Sequence, residues 1–216
     1  MARKPRFRHH ANPFAFQREV VAPDWNVVFP ARLLPGPDGG RRPLEVDVGC
    51  AQAEFLLGRA AQAPGVDIVG LELRMAVVDQ VLERIARSGQ KNAWCVLCNA
   101  NRSFDALFAP ASLDRVYVHF PDPWFKNRHQ KRRLVNQAFV ASLASRLVPG
   151  GEIDFMTDVE EYSAYAAPLF EAHPDLVNAH GPLAPAPFGA DRVESHREAW
   201  HLSQGDPVWR YHYRRR

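Results

Sequence analysis

From Pro43 onward, short apolar runs alternate with stretches of helical periodicity, and few architectures accommodate that alternation. Pro43–Gly49 (PLEVDVG) reads as a strand and AQAEFLLGRAAQA after it as a helix. VDIVGLEL is a second strand, and RMAVVDQVLERIARSG a helix ended by Gly89. AWCVLC is a third strand, with a short helical piece near Phe104–Phe108, and DRVYVHF is a fourth. Val135, Phe139, Leu143 and Leu147 recur at four-residue spacing, which predicts one helix from about Gln130 to Val148, stopped by Pro149-Gly150-Gly151. EIDFMTD is a strand, VEEYSAYAAPLFEAH a helix, and DLVNAH and PVWRYHY two final strands. Such a succession predicts an α/β fold: a doubly wound, mostly parallel seven-stranded sheet with helices on both faces.

Residues 1–43 do not share the rhythm and end in the turn-rich PGPDGGRRP, so they are expected to form a basic N-terminal arm ahead of one domain over 44–216. A chain of 216 residues suits one hydrophobic core. The net charge is only +3, but the cations cluster: Arg3, Lys4, Arg6 and Arg8 near the start, a run after Trp124, and Arg210 and Arg214 to Arg216 at the end. Clusters of that kind attract polyanions. No apolar run is long enough for a membrane span, and no apolar segment follows the basic N-terminus as in a secretory signal. Three cysteines do not make a disulfide framework and fit a reducing, cytoplasmic setting. Cys95 and Cys98 form a CxxC, but on a strand residues three apart point to opposite faces; core packing is expected, and no metal site.

Ligands of an open parallel sheet bind outside the carboxyl ends of its strands. Asp47 and Gly49 fall at the first such end, Glu72 at the second, Asn99 after the third and Asp122 after the fourth. An acid after the second strand can accept hydrogen bonds from both hydroxyls of a ribose, and Glu72 follows Asp47 by 25 residues, close to the spacing of a nucleoside site. The loop DVGCAQAEF has only Gly49 where a dinucleotide's pyrophosphate would require several glycines. S-adenosylmethionine (SAM) has no phosphate; it needs a close-approach turn, an acid near its amino end and an acid on its ribose, which Gly49, Asp47 and Glu72 supply.

In VHFPDPWFKNRHQKRR, Pro121 and Pro123 fix two φ angles and push Asp122 toward an extended conformation. Trp124 offers a face for a base to stack on. Lys126, Arg128, Lys131, Arg132 and Arg133 then open the expected helix, where they oppose the macrodipole unless an anion such as a nucleic-acid backbone arrives.

Together these residues resemble the tRNA (guanine-N7-)-methyltransferase family of class I SAM-dependent enzymes, over nearly the whole chain. FPDPWFKNRHQKRRL is similar to that family's most specific signature; RFRHHANPF resembles its N-terminal segment, Met156–Asp158 its Thr-Asp after the fifth strand, and DRVESHRE its late Thr-x-x-Glu segment. The resemblance implies a Rossmann-like class I methyltransferase fold, with Asp47, Gly49, Glu72, Asn99, Ala100 and Asp122 at SAM. It implies Asp122 as the catalytic residue; Lys126, Asp158, Asp191 and Glu194 at the substrate guanosine; and Arg128, His129, Lys131, Arg132 and Arg133 on tRNA. Asp47 stands where that family has Glu, Asn99 where it has Asp, and Asp191 where it has Thr. The implied reaction is methylation of guanine N7 in the tRNA variable loop (guanine-46), by a monomer or homodimer.

Three other readings compete. A SAM-dependent enzyme could act on another RNA or on protein, although amino-methylating relatives are expected to carry Asn/Asp-Pro-Pro-aromatic where this chain has Pro-Asp-Pro-Trp. A non-catalytic RNA-binding module on a degenerate scaffold would account for the missing glycines and for Asn99. A nicotinamide-dependent dehydrogenase fits worst, because the phosphate loop is poor.

Overall fold

The computed structural model describes residues 11–36, 39–187 and 192–216. Asp191 and the cations of residues 3–8 lie outside the described residues.

Seven strands form one sheet in the order β3-β2-β1-β4-β5-β7-β6. They are β1 (Leu44–Val48), β2 (Asp67–Glu72), β3 (Ala93–Leu97), β4 (Leu113–His119), β5 (Leu147–Thr157), β6 (Leu176–Asn178) and β7 (Trp209–Arg215). The first five are parallel; β7 runs antiparallel to β5, and β6 antiparallel to β7. Every residue of β1 and β2 is buried, as expected of central strands covered on both faces.

The longer helices are α2 (Glu54–Gln62), α3 (Met75–Ser88), α4 (Ala100–Leu107), α5 (Gln137–Arg146), α6 (Glu160–Glu171) and α7 (His196–Gln204); a single turn, α1, spans Trp25–Val28. In α3 the buried Val78, Val81 and Ile85 share one face, and Gly89 ends the helix in the left-handed conformation (φ 73°). The two core clusters match the two faces of the sheet. One gathers Phe104, Phe139, Leu143, Tyr162 and Phe170 from α4, α5 and α6; the other gathers Phe55, Leu56, Val81 and Ile85 from α2 and α3. Cys98 joins the first and Cys95 the second, the opposite placement expected of the CxxC pair.

Two expectations are corrected. The helix predicted over 130–148 is broken. Asn127–Arg132 form a 3-10 helix, and α5 begins only after Asn136, whose side chain accepts from Phe139 N–H at 3.0 Å. Val135 N–H donates instead to the Tyr162 hydroxyl at 3.2 Å, so the chain leaves helical geometry there to satisfy a tertiary partner. At the far end α5 stops at Arg146, and Pro149-Gly150-Gly151 lies within β5, at an irregularity of register against β4. The cations Lys131 and Arg132, with His129, therefore occupy the last turn of a 3-10 helix, where the backbone dipole favours positive charge.

The N-terminal segment also does more than precede the domain. Phe29 is fully buried, and Trp25 stacks on Phe108 with ring centroids 5.7 Å apart. No helix among the described residues is long and apolar enough to cross a membrane.

Candidate active site

A cavity of about 630 Å³ opens at the carboxyl ends of β1, β2 and β4, next to the start of α4. Asp47, Gly49, Glu72, Asn99, Ala100 and Asp122 all line it, with Trp124 and Arg132 at the PDPW side. The sequence-predicted cofactor set is thus brought together in one place.

The first wall is the loop after β1. Gly49 (φ 84°), Ala51 (φ 46°) and Ala53 (φ 65°) alternate in the left-handed region, so the backbone performs a glycine-rich turn with one glycine. Asp47 stands beneath that turn, 4% exposed, and its Oδ2 is buried without a hydrogen-bond partner. Burial pushes its carboxyl up from 3.8 to about 6; nearby His119 acts to lower it and Glu72 to raise it. A buried carboxylate with an unpartnered oxygen, in the lining of a cavity, is what an incoming ammonium group would complete.

Glu72 is less open than the sequence suggests. Its Oε1 accepts from the N–H groups of Leu73 and Arg74 at 2.7 and 2.9 Å, and the Arg74 guanidinium reaches both carboxylate oxygens at 3.0 and 2.9 Å. Oε2 keeps lone-pair capacity for a ribose hydroxyl. Asn99 is also committed: its Oδ1 caps α4, and its amide donates to the carbonyls of Pro13 and Phe16. Asn99 therefore lines the cavity with its amide already taken by two backbone carbonyls. Ala100 N–H, in the first turn of α4, has no intrahelical carbonyl to bond.

The PDPW loop is stiff in a way the prolines alone do not convey. Phe120 (φ 50°) and Trp124 (φ 45°) flank it, both in the left-handed region that non-glycine residues avoid. Arg133 holds it from below: its Nε donates to the Pro123 carbonyl at 2.8 Å, its Nη2 pairs with Glu161 at 3.1 Å, and its guanidinium lies 4.4 Å over the Tyr165 ring. At 4% exposure Arg133 cannot grip RNA, which corrects its assignment; it is a strut. Lys126, Arg128 and Lys131 are exposed, and the Arg132 guanidinium lies 5.0 Å over the Trp124 ring. Local desolvation and the cations Arg132, Arg128 and Lys126 lower the His129 pKa from its usual 6.5.

Asp158 sits behind the cavity rather than on its lining. Both its oxygens accept from Arg197 Nη2 at 2.9 and 2.7 Å, and His201 Nε2 lies 2.7 Å from Oδ2. Arg197 itself lines the cavity and lies 5.4 Å over the Phe120 ring. Asp158, expected at the substrate, is thus held by Arg197 and His201 outside the cavity lining. Glu194 pairs with Arg192 at 2.9 Å, also away from the cavity lining.

Four contributors went unread in the sequence. His119 ends β4 immediately before the PDPW loop; both its ring nitrogens are buried without a hydrogen-bond partner, and Nε2 lies 3.6 Å from Asp154. Its place at a strand's carboxyl end was the available signal. Arg197 and His201 belong to α7, whose Ser195-x-x-Glu198 capping box was legible. Arg74, two residues beyond Glu72, had no sequence signal.

Comparison with known proteins agrees with this geometry. The family model described as "Putative methyltransferase" matches residues 41–211. A tRNA (guanine-N(7)-)-methyltransferase of Synechococcus sp. (strain JA-3-3Ab) is 36% identical over 98% of this chain and 86% of its own length. One from Anaeromyxobacter dehalogenans (strain 2CP-C) is 40% identical over 88% of this chain and 90% of its own. Among solved structures, a 30S ribosomal A1408 methyltransferase from an uncultured bacterium superposes with a TM-score of 0.63 at 16% identity, covering 92% of this chain and 100% of that one, a likeness of fold. A SAM-sized cavity floored by Asp47 and walled by the PDPW loop, on a sheet of this order, and relatives at this identity over nearly the full length place the chain in the tRNA (guanine-N(7)-)-methyltransferase family.

Proposed function

We propose that the protein transfers a methyl group from SAM to N7 of a guanine in tRNA, the guanine of the variable loop at position 46, and that it does so in the cytoplasm. The observation that carries the reading is that one cavity runs from Asp47, with its unpartnered Oδ2, to Asp122 and Trp124, with the cationic 3-10 helix at its rim.

Bound SAM supplies an electrophilic methyl on a sulfonium. Asp47 would hold its ammonium and Glu72 Oε2 a ribose hydroxyl, while the Gly49–Ala53 turn lets the backbone approach. Guanine N7 already presents a lone pair, so no proton has to leave it and Asp122 need not act as a base. Asp122 instead orients the base and stabilises the positive charge that grows on the ring, and Arg133 and the two left-handed residues keep the loop from relaxing. Lys126, Arg128, Lys131 and Arg132 would hold phosphates. The target base must leave its stack to reach Asp122, and Trp124 offers it a surface.

The test is transfer of labelled methyl to two unmodified tRNA transcripts, one with guanine and one with adenine in the variable loop. Label recovered as 7-methylguanosine from the first alone is the expected result. Unchanged turnover in Asp122→Ala would refute the role given to Asp122, and transfer to neither transcript would refute the substrate.

A further inference from the structure

The N-terminal segment, the start of α4 and the cofactor cavity meet at one side chain. Asn99 Oδ1 accepts from Asn101 N–H at 3.2 Å, and Asn99 Nδ2 donates to the Pro13 carbonyl at 2.8 Å and the Phe16 carbonyl at 3.2 Å. The opposite amide orientation would set an oxygen against two carbonyls, so the chemistry fixes the one observed. Farther along, Gln17 Oε1 accepts from Arg102 Nε and Nη2 at 3.0 and 2.7 Å. Val20 N–H donates to Ser103 Oγ at 3.1 Å, and Trp25 Nε1 to the Leu107 carbonyl at 3.1 Å. Positions 99, 102, 103 and 107 share one side of α4, so the segment is laced along the helix. On its other side the Phe14 ring lies 5.7 Å from Lys131 Nζ and 5.9 Å from the Arg132 guanidinium. Ala11 and Pro13 line the cavity.

We propose that Asn99 is a positioning residue: it latches the strap of residues 11–20 as the outer wall of the SAM cavity. The inference rests on the cavity being the SAM site. Asn99 is the one tie of the lacing that also lines the cavity, and only a side chain with two donors and one acceptor can close both carbonyls and cap α4. With the strap down, Ala11 and Pro13 form part of the cavity wall, and SAM is held by enclosure as well as by Asp47.

Asn99→Asp tests this in the full-length protein, because it keeps the cap acceptor and removes both donors. A second variant, Gln17→Ala with Ser103→Ala, loosens the same strap at residues that do not line the cavity. Hydrogen exchange across 11–20 and SAM affinity without RNA are measured on each, with KM and kcat alongside. Asn99→Asp should exchange its strap about tenfold faster and bind SAM about tenfold more weakly, as losing one or two neutral hydrogen bonds implies, with KM for SAM more affected than kcat. The double variant should change both in the same direction. Weaker SAM binding with strap protection intact would mean that Asn99 touches the cofactor directly, and would overturn the proposal. A released strap with unchanged affinity, in either variant, would overturn it equally. Failure of the unaltered protein to bind SAM would refute the cavity assignment, and would be distinguishable because the exchange of the strap reports on the latch by itself.

Discussion

Lowering the pH through 6 should weaken SAM binding through Asp47. Burial holds this carboxyl at about 6 in the protein without ligand. At that value roughly nine in ten molecules carry it ionised at pH 7 and about one in ten at pH 5. An ammonium needs the ionised form, so affinity should fall about tenfold between those pH values, and binding at pH 5 should release close to one proton. Glu72 opposes ionisation of Asp47, and His119 favours it. His119→Gln should therefore move the midpoint upward, and Asp47→Asn should bind weakly with no such pH dependence. The effect on folding has a definite sign. An acid held above its ordinary 3.8 contributes stability below that value and loses it as pH rises through about 6, roughly 3 kcal/mol in all. The assay is calorimetric titration with SAM from pH 5 to 8 in buffers of different ionisation enthalpy. Constant affinity across that range, or a fall that persists in Asp47→Asn, would refute the reasoning.

Arg133→Met should destabilise the fold by roughly 2–3 kcal/mol in urea titrations, through the lost Pro123 bond and the Tyr165 contact, yet leave the salt dependence of tRNA binding unchanged. Lys131→Ala or Arg132→Ala should do the converse, each reducing the slope of log K against log salt by about 0.9 if it holds a phosphate. Ala51 is exposed with a φ of 46°, so Ala51→Gly should stabilise by about 1 kcal/mol and raise Tm by roughly 2–4 °C; a lower Tm would contradict the strain. A methyl added at Gly70 would lie 2.6 Å from Cys50 Sγ, so Gly70→Ala should cost about 1–3 kcal/mol in the same titrations.

The strand–helix alternation was legible because burial on both faces of a parallel strand leaves a continuous apolar run, and β1 and β2 are of that kind. Asp47, Gly49, Glu72, Asn99, Ala100 and Asp122 were legible for a topological reason: strand ends converge on one edge, so positions far apart in sequence share a cavity. The break before α5 was not, because the four-residue spacing of Val135, Phe139, Leu143 and Leu147 persists across it. It follows from a hydrogen bond to Tyr162, which approaches only in the folded chain. α7 could have been found from its capping box, but not the pairing of Arg197 and His201 with Asp158, since nothing local says which acid an arginine will meet.

Sequence alone thus determined the sheet, the edge on which the site lies and the residue types at that edge, because periodicity and strand ends are local properties. Tertiary structure decided what each group is free to do. Arg133 and Asn99 are ordinary polar residues by sequence, yet one braces the PDPW loop and the other ties down the strap. Asp47 is one acid among 24 acidic residues until burial strips it of partners and raises its pKa. Solvation and hydrogen-bond saturation depend on everything packed around a group, and so they exist only once the chain has folded.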